Sequence, residues 1–280
     1  MTTPTPTVRL DNGVEIPQLG LGTARVGDEE IRRIVREALA VGYRFVDTAA
    51  EYENEVGVGQ GLRDAGLPRG EVFVSTKLRG ADQGYAQAKQ ALTDSLRRLQ
   101  LDHVDLYIVH WPLPRLDRYV ESWQALQELA AEGLTRAVGV SNFLPEHLAR
   151  LGEEASTVPA VNQIEVHPRL PQRELRAEND RRGIVTESWS PLANGGDLLT
   201  DDVVTGIAAE HGVTPAQVVL RWHVQQGLVT FPKASSVERL RENLDVFGFA
   251  LGEDDLARMD TLATGERTDP RQDPATWEEF

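Results

Sequence analysis

Hydrophobic positions along the chain fall into two alternating patterns. Eight short apolar runs form the first: "LGLG" at 19–22, "RFVD" at 44–47, "VFVST" at 72–76, "VDLYIVH" at 104–110, "AVGVS" at 137–141, "VNQIEV" at 161–166, "IVTES" at 184–188 and "LVTF" at 228–231. They do not alternate and are rich in Val and Ile, as strands buried on both faces are. Between them lie stretches with helical period. In 28–40, Ile31, Ile34, Val35, Ala38 and Leu39 share one face, and Asp28 is placed to cap the N-terminus. In 84–99, Ala88, Leu92, Leu96 and Leu99 do the same. The stretches 118–132, 145–153, 171–182, 214–226 and 236–245 also predict helices. The stretch 54–65 carries Gly57, Gly59 and Gly61, which weaken a helix. A helix is expected there nonetheless, with one side packed closely against its neighbours.

Eight β-α units in ~250 residues predict an α/β fold of the TIM-barrel type, (β/α)8. Residues 7–17, "TVRLDNGVEIP", read as a β-hairpin turning at Asn12-Gly13, where both positions tolerate positive φ. The hairpin is expected to plug one end of the barrel. An additional apolar-periodic piece, 201–211, predicts an extra helix towards the C-terminus. No linker interrupts the chain, so one domain is expected over 1–280. The tail "ERTDPRQDPATWEEF" is polar with two prolines and reads as loop, with Trp277 either packed on the surface or disordered.

Composition narrows the function. The 29 basic and 44 acidic side chains give a net charge of −15, which repels nucleic acid and anionic lipid. The absence of cysteine excludes disulfides, cysteine-zinc sites and thiol catalysis. The opening "MTTPTPTV" has neither the basic nor the apolar part of a signal peptide, and no apolar run approaches the ~20 residues of a membrane span. A cytoplasmic protein is expected.

Active sites of such barrels lie at the C-terminal ends of the strands. Polar residues close three neighbouring runs: Asp47 after the second, Lys77 after the third and His110 after the fourth. Tyr52 follows in the loop after Asp47. Taken singly, each has an ordinary reading as a turn cap, a solvated cation, a satisfied core histidine and a surface aromatic. Four of them on adjacent strand ends point to a site. Other chemistries lack their parts. "GVSNF" at 139–143 has Phe143 where a nucleophile elbow needs glycine. "GVGQGL" and "GLGTAR" lack the last glycine of a dinucleotide fingerprint, and no cluster has metal-ligand spacing.

Five segments in order, "GYRFVDTAAEYENEVGVG" (42–59), "LDHVDLYIVHWP" (101–112), "GVSNF", "NQIEVHP" (162–168) and "FPKASSVERLREN" (231–243), resemble the signature segments of the aldo-keto reductase superfamily. "ESWSPL" (187–192), with Trp189 where most of the family has tyrosine, is most similar to the bacterial reductases of 2,5-diketo-D-gluconic acid. The resemblance implies NADPH-dependent reduction of aldehydes or ketones, keto sugar acids among them. It places the catalytic tetrad on Asp47, Tyr52, Lys77 and His110, the residues already singled out at the strand ends. It also implies that Ser141, Asn142 and Gln163 hold the nicotinamide carboxamide and that Trp189 stacks on the ring. Ser190 and Leu192 line the pyrophosphate path. Lys233, Ser235 and Arg239 lie at the 2′-phosphate, and Glu242 and Asn243 at the adenine. A small carbonyl substrate and a monomer are expected. The alternative is a non-catalytic NADPH-binding regulator on the same fold, which has no need of an intact tetrad.

Three departures from the family pattern bear on specificity. Ala234 replaces a serine that usually binds the 2′-phosphate, which softens the preference for NADPH and admits NADH. Arg79 stands where the sugar-acid reductases have tryptophan, and Ala24 where an aromatic often lines the pocket, with Trp111 as one wall. Arg79 is expected either to meet a substrate carboxylate or to be a solvated loop arginine. The acids around Tyr52 (Glu51, Glu53 and Glu55) would disfavour its phenolate. They are therefore expected to point away, with Asn54 and Glu55 starting the next helix.

Overall fold

The computed structural model describes residues 5–155 and 157–278. A two-stranded antiparallel hairpin opens the chain, β1 (Thr7–Arg9) and β2 (Glu15–Pro17), in the register Val8 opposite Ile16. Its turn differs from the expected one. Only Gly13 has positive φ (84°), and Leu10 carbonyl accepts from Gly13 N–H at 2.9 Å, so Asp11 and Asn12 form the bend and Gly13 the left-handed exit. The Asn12 side chain bridges the turn and the barrel: its oxygen accepts from Val14 N–H at 3.1 Å, and its NH2 donates to Arg136 O at 3.0 Å, pinning the hairpin to the barrel.

Eight parallel strands then alternate with helices. They are β3 (Leu21–Gly22), β4 (Phe45–Asp47), β5 (Phe73–Leu78), β6 (Val104–Val109), β7 (Thr135–Ser141), β8 (Val161–Glu165), β9 (Val185–Trp189) and β10 (Val229–Thr230), neighbours in that order. Gly20 N–H donates to Thr230 O at 2.8 Å and Thr230 N–H to Gln18 O at 2.9 Å, which brings the last strand back to the first and closes the barrel. The helices are α1 (Asp28–Val41), α2 (Glu55–Asp64), α3 (Tyr85–Leu99), α4 (Tyr119–Ala131), α5 (Pro145–Glu154), α6 (Arg173–Arg181), α7 (Asp202–His211), α8 (Pro215–Gln225), α9 (Val237–Leu244) and α10 (Glu253–Asp260). Extra helices are expected near the C-terminus, and they are α7, over the 201–211 stretch, and α10.

Asp28 is not the cap of α1. Gly27 holds that place, and the Asp28 carboxylate instead accepts from Gly57 N–H at 2.8 Å, tying α1 to α2. The glycines of α2 explain themselves here. A Cβ on Gly57 would lie 2.2 Å from Asp28 O, and one on Gly59 2.2 Å from Leu99 O, so α2 touches α1 and α3 backbone to backbone. That contact has no room for a side chain.

Alternation along the strands gives the barrel an outward-facing and an inward-facing apolar layer. Outward side chains such as Val46, Val74, Leu78, Tyr107 and Val109 pack beneath the helices. Inward ones build a smaller cluster of Phe45, Phe73, Leu106, Ile108, Ala137, Val161, Val229 and Phe231, continued by Leu10, Val14 and Ile16 of the hairpin. The hairpin thus seals the end of the barrel away from the strand C-termini. Towards those C-termini the inward positions turn polar.

Candidate active site

Two residues beyond Phe45 the inward position of β4 is Asp47, and on β5 the inward series is Phe73, Ser75, Lys77. The Lys77 ammonium is completely buried. It donates to Asp47 Oδ1 at 2.8 Å, Asp47 Oδ2 at 2.7 Å and Thr48 O at 2.8 Å, so the carboxylate and a backbone carbonyl both hold it. Ser75 Oγ donates to Asp47 Oδ1 at 2.7 Å. Burial pulls the Lys77 ammonium down, but the charges of Asp47 and then Tyr52 outweigh it, and the group is held above the ordinary lysine value.

The chain leaves β4 through a single 3-10 turn, Ala50–Tyr52, which swings the Tyr52 ring back over the barrel mouth. Lys77 Nζ stands 5.2 Å from the ring centroid. His110, which follows β6, meets the same ring edge to face at 5.9 Å between centroids. The four residues expected to converge therefore do so.

Glu51 and Glu53 are exposed, and α2 starts at Glu55 with Asn54 as its cap residue. Glu55 is buried on the far side of β5, between Thr76 Oγ1 at 2.6 Å and Arg98 Nε at 2.7 Å. None of these three carboxylates takes up the inward layer with Lys77.

β7 and β8 supply a second group of polar side chains. Ser141 Oγ donates to Gln163 O at 2.7 Å. Asn142 has φ 63°, a left-handed conformation that asparagine tolerates, and its amide donates to His110 O at 3.1 Å and to Ser141 Oγ at 3.0 Å. Its oxygen accepts from the Trp189 indole N–H at 2.9 Å, which fixes the half-buried indole at the end of β9. Gln163 Nε2 donates to Asp47 Oδ1 at 3.1 Å and to Glu187 Oε2 at 2.7 Å. Glu187 is fully buried, and burial, then the charge of Asp47, push its carboxyl up to about 8. Glu187 is a site residue outside the sequence expectations. Its signal was a carboxylate inside an apolar run at the position two before Trp189, hence on the same face.

Ser190 also has positive φ (49°), and with Leu192 it forms the half-buried start of the loop after β9. Lys233 and Arg239 are exposed and, among the described residues, pair with no carboxylate. Ser236 Oγ caps the helix between them, accepting from Arg239 N–H at 3.3 Å, and Ser235 stays exposed beside it. In a chain of net charge −15, two uncommitted cations beside a helix N-terminus fit a phosphate. Glu242 accepts from Thr214 Oγ1 at 2.6 Å, while Asn243 is buried. Ala234 is buried against the apolar core and offers no donor there.

Arg79 is held by Asp82 at 2.7 Å. It lines a groove of about 440 Å³ between α2 and α3, together with Glu53 and Asp94. A substrate carboxylate there would share the guanidinium with Asp82 and meet its charge. Ala24, after β3, is half-buried, and Trp111 is buried beside His110.

The tail turns out to be ordered over the mouth. Buried Glu165, at the end of β8, accepts from Thr268 N–H at 2.7 Å and from Arg267 at 3.4 Å. Trp277 packs on Trp111 at 5.6 Å between centroids, its indole N–H buried with no hydrogen-bond partner among the described residues.

The fold is a closed eight-stranded barrel with a buried lysine-aspartate pair, a tyrosine and a histidine gathered at the strand ends. The aldo/keto reductase family model matches residues 18–264. Methylglyoxal reductase DkgA of Escherichia coli K12 is 46% identical over 274 residues, 98% of each chain. Morphine 6-dehydrogenase of Pseudomonas putida is 45% identical over 290 residues, again 98% of each chain. A crystal structure of a variant of Gox0644 in complex with NADPH superposes with TM-score 0.92 at 44% identity, covering 99% of this chain and 100% of that one. An aldo-keto reductase of Bombyx mori in complex with NADP has the same TM-score at 32% identity, covering 99% of both chains. The chain belongs to the aldo/keto reductase family. It is an oxidoreductase of carbonyl groups that works with a nicotinamide cofactor.

Proposed function

We propose that this enzyme reduces small aldehydes and ketones with NADPH, and that Tyr52 donates the proton. The observation that carries the reading is the fully buried Lys77 ammonium, fixed by Asp47 and standing 5.2 Å from the Tyr52 ring. A free phenol titrates at ~10, too high for an efficient acid near neutrality. A lysine cation at that distance favours the phenolate and eases proton release. Asp47 holds the cation in place. His110, across the ring from Tyr52, donates to the carbonyl oxygen and orients it, so two donors face the position where negative charge develops. Bound NADPH supplies the hydride.

Trp189 stacks on the nicotinamide, its plane set by the bond to Asn142. Ser141, Asn142 and Gln163 take the carboxamide. Ser190 and Leu192 line the pyrophosphate path. Lys233, Ser235 and Arg239 take the 2′-phosphate, Arg239 by its two-pronged guanidinium. Glu242 and Asn243 face the adenine. Ala234 gives the phosphate no hydrogen bond, a loss of ~1–3 kcal/mol against a charged acceptor, so NADH is used as well, though less well.

The substrate is a compact, uncharged carbonyl compound. Two observations support this: Trp111 and Trp277 wall the mouth with aromatic surface, and Arg79 is already occupied by Asp82. The relative named methylglyoxal reductase points the same way. The protein acts as a cytoplasmic monomer of one domain. A panel of methylglyoxal, aromatic aldehydes and keto sugar acids, each with NADPH and NADH, tests this reading. Methylglyoxal and the aldehydes should give the higher kcat/KM; a preference for the keto sugar acids would overturn the substrate assignment.

A further inference from the structure

One titratable group inside the barrel has no part in the chemistry above. Glu187 is fully buried and faces inward, opposite Val229 of β10. Its Oε2 accepts from Gln163 Nε2, whose other N–H goes to Asp47. Its Oε1 is buried and, among the described residues, has no hydrogen-bond partner.

The groups sharing this layer are few. Asp47 comes from β4, Lys77 from β5, and Tyr52 from the turn after β4; His110 stands across the mouth just after β6, and β10 contributes only Val229 and Thr230. Lys77 already balances Asp47. A second carboxylate would leave one uncompensated negative charge away from water, so Glu187 carries its proton at neutral pH. Burial and Asp47 keep it protonated, against the weaker pull of Gln163 and Lys77. Gln163 therefore has both N–H groups committed to carboxyls. Its amide oxygen is what remains for a ligand, and an amide donor is what it can accept from.

We propose that Glu187 is a positioning residue that turns the Gln163 amide oxygen towards the cofactor and, by losing its proton, shifts the cofactor preference from the reduced to the oxidised form. The inference rests on the reading of the cleft as a nicotinamide site. The oxidised nicotinamide ring carries a positive charge and the reduced ring carries none. A neutral Glu187 is indifferent to that difference. An ionised Glu187, one side chain away, attracts only the oxidised ring. The 2′-phosphate is common to both forms, so its own titration cancels in the ratio of their affinities.

The test measures Kd for NADPH and NADP by tryptophan fluorescence between about pH 6.5 and about pH 9.5, in wild type and Glu187→Gln. In wild type the ratio of the two constants should move on the order of tenfold towards NADP across the interval, the size of effect one unit charge has through a partly screened interior. In Glu187→Gln most of that movement should vanish, leaving only what ionisation of the Tyr52 phenol adds at the alkaline end. The same slope in both proteins would overturn the proposal. Failure of wild type to bind either form would instead sink the nicotinamide reading itself. Should Glu187→Gln not fold, infrared spectra of wild type decide. A buried neutral carboxylic acid band that disappears through this interval supports the proposal, and its absence overturns it.

Discussion

Replacing Asp47 with asparagine removes a charge and keeps the shape. Lys77 is left with neutral acceptors, Thr48 O and the asparagine oxygen, in a site with no solvent contact. Removing one partner of a buried ion pair costs ~3–5 kcal/mol. The structure argues for the low end of that range. Asp47 is a main reason Glu187 stays neutral, so its loss lets Glu187 ionise and serve as a replacement counter-ion. At about 3 kcal/mol, a chain of this length should lose roughly 5 °C in Tm. Activity should fall further than stability, because the replacement charge lies on the far side of Gln163 and does not hold the ammonium beneath the Tyr52 ring. A fall in kcat of ~10²–10⁴, the range of one general acid, is expected with NADPH affinity little changed. The assay is NADPH oxidation with a saturating aldehyde, alongside thermal melts of the single variants and of Asp47→Asn/Glu187→Gln. The double variant has no replacement counter-ion and should be less stable than the single effects predict together. Simple additivity, or a kcat within threefold of wild type for Asp47→Asn, would refute the reasoning.

Other outcomes follow from the same contacts. Glu187 has its carboxyl raised from an ordinary value near 4.5 to about 8, so the native state holds a proton the unfolded chain releases. Stability is therefore lost as pH rises from about 4.5 to about 8, and Glu187→Gln should gain on the order of 3 kcal/mol at pH 7 and nothing at pH 4, checked by melts across that range. Gly59→Ala puts a Cβ 2.2 Å from Leu99 O and should lower stability by ~1–3 kcal/mol in urea unfolding, whereas Gly70→Ala, with open space around it, should be close to neutral. Trp277→Ala removes the aromatic cover of Trp111, worth ~0.5–1.5 kcal/mol, and should raise KM about two- to tenfold with kcat held.

The barrel was legible because β-α alternation is a pattern of period, and period survives without any contact information. All eight apolar runs are strands, and the nine helical stretches are α1 to α9. What the pattern could not carry was choice among local partners. Asp28 is a sound capping residue by type, yet Gly57 N–H competes for it from another helix. Asn12 tolerates positive φ, yet its side chain is used on Arg136. Strand ends showed which residues share a mouth, and so brought Asp47, Tyr52, Lys77 and His110 together. They did not bring in Glu187, because it stands inside its run, two positions before the strand end. The tail was read as polar loop from composition. Its order comes from Glu165 and Trp111, more than a hundred residues earlier in the chain.

The central claim is that Tyr52 gives the proton while the rest of the site binds and orients. Stopped-flow oxidation of NADPH by methylglyoxal in wild type and Tyr52→Phe, with the NADPH Kd of both proteins, tests it most directly. Tyr52→Phe should bind NADPH within about twofold of wild type yet transfer hydride ~10²–10⁴ times more slowly. Equal rates in the two proteins would contradict it.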